Sequence, residues 1–315
     1  MSVYTSIEPH ELEALLREYD LGTLVDYQGI SAGIENTNYF VTTTGGRYVL
    51  TLFESIGFVD LPYYLELMAF LAEHGVPSAH PLADRNGGYL RTFKNKPTAL
   101  VQRLPGNSVL RPNLRQCRAI GGALGHLHAE GQVFAGRREH TRGPEWRRQV
   151  GEQLLPLLDA ADAALLREEL DFQAPYSRSG LPWGVIHADL FRDNALFIGD
   201  RLTGIIDFYY ACNGVLLYDL AVTVNDWCFQ YGVLEDDKVL AILENYHEQR
   251  PLQDCEHAVW PMMLRVAALR FWLSRLRDRL FPRPGALIQI KDPSEFKRIL
   301  QTHAANYGAL QDLWV

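Results

Sequence analysis

A chain of 315 residues, 47% of them hydrophobic, is long enough for two packed lobes of an ordinary soluble globular protein. Its 38 acidic residues outnumber 30 basic ones for a net charge of −8, so the basic footprint of a nucleic-acid binder is missing. The first ten residues have no basic n-region, no apolar run approaches the roughly 20 residues of a membrane span, and four scattered cysteines form no C-x-x-C; the expectation is a cytoplasmic enzyme of small molecules, without disulfides, nucleic-acid or membrane partners.

Leucines 12, 15 and 16 with Tyr19 predict a helix over Pro9–Tyr19. "NYFVTTT" and "RYVLTLF" flank Gly45-Gly46, a two-residue hairpin signal. The period turns helical from Asp60 to His74, and Gly75 with Pro77 supplies the stop. "GYLRTF" and "TALVQRL" predict a second hairpin turning over "KNKP". Residues 1–102 therefore read as a β-rich lobe with an internal helix.

Past Pro105-Gly106 the pattern becomes helical. Asn113 is placed to cap a helix with Leu114, Cys117, Ile120, Leu124 and Leu127 on one face, stopping near Gly131. Gly121, Gly122 and Gly125 lie along it, and glycines cost a helix about 1 kcal/mol each relative to alanine, so another backbone should approach there. A helical region over 145–171 precedes three short strands, "GVIH", "ALFI" and "LTGIID", the last two joined at Gly199-Asp200. Helices follow at about 216–231, 236–249, 255–281 and 294–312. The long run from Ala258 to Leu280 is broken by Arg265, Arg270, Arg275, Arg277 and Arg279 and reads as an amphipathic helix. The exposed faces of these late helices are arginine-rich, and both a monomer and a homodimer are compatible with them.

Chemistry concentrates in "VIHADLFRDNALF" at 185–197, with apolar runs on both sides. His187, Asp189 and Asn194 form H-x-D-x4-N, and Asp207 ends the apolar strand thirteen residues after Asn194. Moving a phosphoryl group from ATP to a hydroxyl needs a carboxylate that orients the hydroxyl and accepts its proton, here Asp189. It also needs oxygen ligands for Mg²⁺, which Asn194 and Asp207 supply. His187 is expected to pack the loop by hydrogen bonding. His126 and His128, two residues apart on a helix, point to different faces and make a poor metal pair.

These residues resemble the aminoglycoside phosphotransferase-like kinases over about residues 25–280. The resemblance implies an α+β, bilobal, protein-kinase-like fold, with a β-rich N-terminal lobe over 1–102 and a mainly helical lobe over 103–315. "VIHADLFRDNALF" matches the catalytic loop and "GIIDFYYA" the metal-binding strand end. "ALVQRLPG" resembles the hinge that reads adenine around Gln102, Arg103 and Leu104, and Glu66 falls at the family's structural glutamate. Three segments outside the catalytic core, "SAGIENTNYFVTT", "DFYYACNGVLLYDLAVTVNDWC" and "LRVAALRFWLSRL", resemble the family's bacterial homoserine kinases. They imply L-homoserine as the substrate, ATP and Mg²⁺ as its companions, and a step on the route to threonine. Arg265 and Arg270 become candidates for the carboxylate, since a guanidinium matches it bidentately. Asn225, Asp226 and Trp227 become candidates for the ammonium end, and Tyr209 for a further substrate contact.

Two departures stand out. The nucleotide-covering turn has Gly33 but no G-x-G-x-x-G, so Asn36, Thr37 and Asn38 must help contact phosphate. Thr51 occupies the position where kinase folds usually carry a lysine, which leaves Glu66 without its expected partner. A kinase of another small alcohol or amine (choline, ethanolamine, methylthioribose, an aminoglycoside) and a silent nucleotide-binding pseudokinase are the alternatives.

Overall fold

The computed structural model describes residues 5–30, 36–176, 179–282 and 291–315. They divide into two compact units. One comprises the described residues up to Gly106 together with Gly204–Ile206; the other holds Asn107–Thr203 and the described residues from Asp207 onward.

The first unit opens with α1 (Pro9–Leu16), which buries Leu12, Leu15 and Leu16. Then come β1 (Leu24–Gly29), β2 (Thr37–Thr43), β3 (Gly46–Leu52), α2 (Leu61–Glu73), β4 (Arg91–Phe93) and β5 (Lys96–Gln102). The strands make one antiparallel sheet in the order β1-β2-β3-β5-β4. Alternation fixes its faces: Tyr39 and Val41 of β2 point into a core with Leu12, Leu50, Leu52 and Leu100. The β4–β5 turn is tighter than the four residues predicted. Phe93 pairs with Lys96, and Lys94 and Asn95 both take left-handed backbone, the two-residue turn that matches strand twist.

The remaining chain builds α3 (Leu114–Glu130), α4 (Pro144–Leu154), α5 (Ala160–Gln173), β6 (Trp183–Ile186), β7 (Ala195–Ile198), β8 (Arg201–Ile205), β9 (Cys212–Val215) and α6 (Leu216–Trp227). It ends with β10 (Phe229–Gln230), β11 (Val233–Leu234), α7 (Asp236–Gln249), α8 (Asp254–His257), α9 (Trp260–Leu280), α10 (Pro293–Ala305) and α11 (Tyr307–Asp312). Asn113 caps α3 as expected, its Oδ1 accepting from the Gln116 N–H at 3.0 Å. Cβ atoms at Gly121 and Gly125 would lie 2.4 and 2.7 Å from the Ile242 and Tyr246 carbonyls of α7, so α3 and α7 pack backbone to backbone. Gly122 is different: its nearest neighbour would be 3.8 Å away.

Five predicted helices are broken or shortened. The one over Pro9–Tyr19 ends at Leu16, and the one over 255–281 divides at Ala258-Val259 into α8 and α9. The helix over 145–171 divides at a 3-10 turn containing Pro156, which has no N–H for the helical ladder. The helix over 294–312 divides at Asn306. The helix over 216–231 stops at Trp227, and the chain turns through Tyr231 and Gly232, both at positive φ, into the β10–β11 hairpin. The short β9, which pairs antiparallel with β6, carries no alternation that reads as a strand.

Candidate active site

The loop after β6 begins with a conformational cost. Ala188 sits in left-handed backbone at φ 64°, where a Cβ clashes with its own carbonyl. Asp219, fully buried on α6, holds it there. Its carboxylate accepts from the His187 N–H at 2.6 Å and the Ala188 N–H at 2.7 Å, and meets His128 Nε2 at 3.1 Å. Burial pushes the Asp219 carboxyl up, but its His128 hydrogen bond, the charges of both histidines and the His187 N–H outweigh this and hold its pKa below the ordinary value. The His187 ring is buried at 4.7 Å from the Phe208 ring, and its Nδ1 accepts from the Asp189 N–H at 3.3 Å. It packs the loop.

Asp189 emerges half-buried from this support. Loss of hydration raises its pKa to about 7; the charge of Arg270 opposes the rise, that of Asp207 adds to it, and Lys291 and Asp193 act more weakly. Asn194 ends a single 3-10 turn (Arg192–Asn194) and donates from Nδ2 to the Asp189 carbonyl at 2.9 Å and to Oδ2 at 3.3 Å. That fixes the amide and leaves Asn194 Oδ1 with no hydrogen bond among the described residues. Asp207 follows β8 in left-handed backbone, and Tyr209 lies half-buried in the 3-10 turn behind it. Asp189, Asn194 and Asp207 are thus brought together. Two carboxylates whose charges act on each other, and the amide bonded to one of them, supply hard-oxygen donors of the kind that suits Mg²⁺.

Arg270 of α9 is, among the described residues, the cation whose charge acts most strongly on Asp189. It is only 4% exposed, and among the described residues its guanidinium makes neither a hydrogen bond nor an ion pair. Its Cζ lies 3.7 Å from the Phe271 ring centre and 5.5 Å from that of Tyr210. Arg265, its expected companion, is committed elsewhere. It forms a buried ion pair with Glu169 and stacks 3.6 Å over Phe172. Residues five apart on a helix diverge by about 140°, so the two arginines do not converge.

The three residues expected at an ammonium end are likewise engaged in the fold, because α6 is buried on every side. Asp226 accepts from the backbone and side chain of Arg192 at 2.7 and 2.9 Å, pinning the turn that carries Asn194. Asn225 donates to the Leu264 carbonyl at 2.9 Å and meets His303 Nε2 at 2.7 Å. Trp227 donates to the Leu190 carbonyl at 3.1 Å from a fully buried position. Asp226 and Trp227 fasten the loop segment Leu190–Arg192 to α6, whereas Asn225 ties α6 to α9 and α10.

In the first unit, Thr51 and Asn38 face each other across β3 and β2, with the Thr51 hydroxyl donating to Asn38 Oδ1 at 2.7 Å. Thr37 donates to Glu54 at 2.6 Å, Asn36 accepts from the Glu54 N–H at 3.4 Å, and Lys96 also pairs with Glu54. No lysine therefore substitutes for Thr51. Glu66 is exposed on α2 and forms no ion pair among the described residues, as the missing lysine implies. Gln102 and Arg103 spend their N–H groups on the His80 and Arg47 carbonyls, whereas the Leu104 backbone has no hydrogen bond among the described residues. Gly33 lies outside the described residues.

Sequence reasoning missed Asp219. The trace it leaves is an acid inside the apolar run "LLYDLAV", where only a strong set of donors sustains a charge.

A model of the APH phosphotransferase enzyme family matches residues 26–252. The homoserine kinase of Methylobacillus flagellatus is 48% identical over 316 residues, covering 100% of this chain and 99% of that protein. The homoserine kinase of Methylobacillus glycogenes is 46% identical with the same coverage. Among solved structures, a spectinomycin phosphotransferase in complex with ADP and spectinomycin matches at TM-score 0.71 and 15% identity, covering 96% of this chain and 99% of that one. That likeness is one of fold, and the fold is the protein-kinase-like α+β arrangement. The chain belongs to the phosphotransferase enzyme family.

Proposed function

We propose that the chain transfers the γ-phosphoryl group of ATP to the side-chain hydroxyl of L-homoserine, giving ADP and O-phospho-L-homoserine, a step in threonine biosynthesis. One pairing carries the reading: Asp189, suited to a hydroxyl, shares its surroundings with Arg270, a buried cation suited to a carboxylate. Relatives named homoserine kinase match the chain end to end, which favours this alcohol over choline, ethanolamine, methylthioribose or an aminoglycoside.

Asp189 orients the hydroxyl and takes its proton as the oxygen attacks the γ-phosphorus and the bond to the β–γ bridging oxygen breaks. A pKa of about 7 suits that task, since such a carboxylate is ionised in part at neutral pH and basic enough to hold the proton. Asn194, through its Nδ2 bonds, keeps the Asp189 carboxylate in place. Mg²⁺ would be held by Asn194 Oδ1 and the Asp207 carboxylate, and when bound it neutralises charge on the phosphates. We assign nucleotide covering to residues 1–102, with adenine read along Gln102, Arg103 and Leu104 by the backbone groups that the His80 and Arg47 bonds leave over, the Leu104 N–H first. We assign phosphate contact to Gly33, Asn36, Thr37 and Asn38, and the Thr51–Asn38 pair stands where a lysine would. Residues 103–315 carry the substrate and catalysis.

The test is ADP release with L-homoserine, choline, ethanolamine, methylthioribose and an aminoglycoside in parallel. L-Homoserine should be turned over and the others not, and Asp189→Ala should lower kcat by about 100-fold or more. Turnover confined to another acceptor, or an Asp189→Ala enzyme within a few-fold of wild type, would overturn the reading.

A further inference from the structure

We infer that Arg142 and Tyr218 complete the carboxylate-binding end of the substrate site with Arg270, two guanidinium groups and a phenol gripping the α-carboxylate while the substrate hydroxyl reaches Asp189. The inference rests on the homoserine reading and deepens it. It names the side chains that separate an amino-acid alcohol from a plain amino alcohol.

Three helices bring the groups together. Tyr218 stands in the first turn of α6, Arg270 in the middle of α9, and Arg142 just ahead of α4; α9 packs on both α6 and α4. Tyr218 is 3% exposed, and its hydroxyl is buried without a hydrogen-bond partner. The Arg270 charge is the leading one acting on that phenol, and it acts on Arg142 as well. Arg142 is half-buried, with its guanidinium 4.7 Å from the Trp146 ring centre, and it too has no hydrogen bond or ion pair among the described residues. The nearby acids do not satisfy these cations: Asp278 acts on Arg142 and Asp189 on Arg270 without either forming an ion pair.

Guanidinium and ammonium groups only donate, and a phenol donates readily. A buried and a half-buried like charge beside a buried, unbonded hydroxyl form an unfavourable arrangement until an acceptor-only anion enters. A planar carboxylate fits, because it has lone pairs for both guanidinium groups and the phenol at once. The rings of Tyr210 and His140 line the place, 5.5 Å from Arg270 and 5.0 Å from Tyr218 respectively.

The experiment compares wild type, Arg142→Gln, Arg142→Lys and Tyr218→Phe on L-homoserine and on 3-amino-1-propanol, which keeps the hydroxyl and ammonium but lacks the carboxylate. Arg142→Gln should raise KM for L-homoserine by about 10-fold or more and Tyr218→Phe by about 3-fold or more. Kcat and the KM for ATP should stay near wild type, and Arg142→Lys should recover part of the loss. The inhibition constant of L-2-aminobutyrate, which has the carboxylate but no hydroxyl, should rise in parallel. Activity on 3-amino-1-propanol, however small, should not respond. If Arg142→Gln melts below the assay temperature, Arg142→Lys and Tyr218→Phe carry the same comparison. Unchanged KM for L-homoserine in the folded variants, or a rise in KM for ATP instead, overturns the inference. A wild-type enzyme inert toward L-homoserine would overturn the underlying reading instead.

Discussion

His303 of α10 is fully buried, and its two nitrogens are bound unequally. Asn225 donates from Nδ2 to the Leu264 carbonyl, which turns Oδ1 toward His303 Nε2 and makes that nitrogen the donor. Nδ1 is buried without a partner, so the ring is neutral. Burial, helped by the charge of Arg265, lowers its pKa to about 3. An unfolded histidine titrates near 6.5. Between about pH 6.5 and 3 the unfolded chain therefore binds a proton that the folded chain refuses, and stability falls as pH falls. The slope is about 1.4 kcal/mol per pH unit well below 6.5. His303→Gln keeps a donor for Asn225 and removes the titration. In urea unfolding at pH 7 and pH 4.5, the variant should lose about 2.5 kcal/mol less than wild type on acidification; equal losses would refute this. At the same scale, Asp189 and Asn194 were legible because one short loop carries both. Asp219 was missed because its partners, two backbone N–H groups about thirty residues before it and the ring of His128 on α3, are brought to it only by the fold, and its one trace is an acid within an apolar run.

Helix α9 shows how one element holds charges of opposite consequence. Arg265 is neutralised by Glu169 and Arg275 by Glu295, whereas Arg270 has neither an ion pair nor a hydrogen bond among the described residues. Arg265→Met strands a buried carboxylate and should cost about 3–5 kcal/mol in stability. Arg270→Met removes an unsatisfied buried cation and should raise the stability of the ligand-free protein, by about 1 kcal/mol, while lowering kcat/KM for L-homoserine. Chemical denaturation of both variants checks the contrast, and a destabilised Arg270→Met would show that Arg270 supports the fold. The sequence places both arginines among apolar neighbours on one helix. Glu169, the residue that tells them apart, lies 96 positions away. The glycines of α3 were legible for the opposite reason, since a helix that tolerates them must gain from close approach. Even so, the sequence does not rank them. Gly121→Ala should destabilise, because its Cβ would meet the Ile242 carbonyl at 2.4 Å, whereas Gly122→Ala should be neutral or stabilising by up to about 1 kcal/mol. Thermal melts of the pair decide it.

Over the whole molecule, the change of character at Pro105-Gly106 was visible as a switch from strand to helix period. The membership of Gly204–Ile206 in the first unit was not, because three residues leave no compositional mark; Ile205 joins by donating to the Pro77 carbonyl and bridging to Ser78. The division has a measurable consequence. All six tryptophans (146, 183, 227, 260, 272 and 314) follow Gly106, so indole fluorescence reports the second unit. The first unit has a separate core built on Tyr39, Val41, Leu50, Leu52 and Leu100, and its amides report it by hydrogen exchange. The groups assigned to the amino acid, Asp189, Arg270, Arg142 and Tyr218, all lie in the second unit. The Thr51–Asn38 pair and the stretch Gln102–Leu104 lie in the first. A ligand stabilises what it binds by mass action, about 2.7 kcal/mol at 100 times its Kd. L-2-Aminobutyrate at that excess should therefore raise the unfolding free energy read by fluorescence by about that amount. It should leave the exchange protection of β2, β3 and β5 nearly unchanged, while ADP should protect those strands instead. Equal protection of both units by L-2-aminobutyrate would mean either that they open as one body or that the amino acid touches both, and the separate assignment of its site to the second unit would fall.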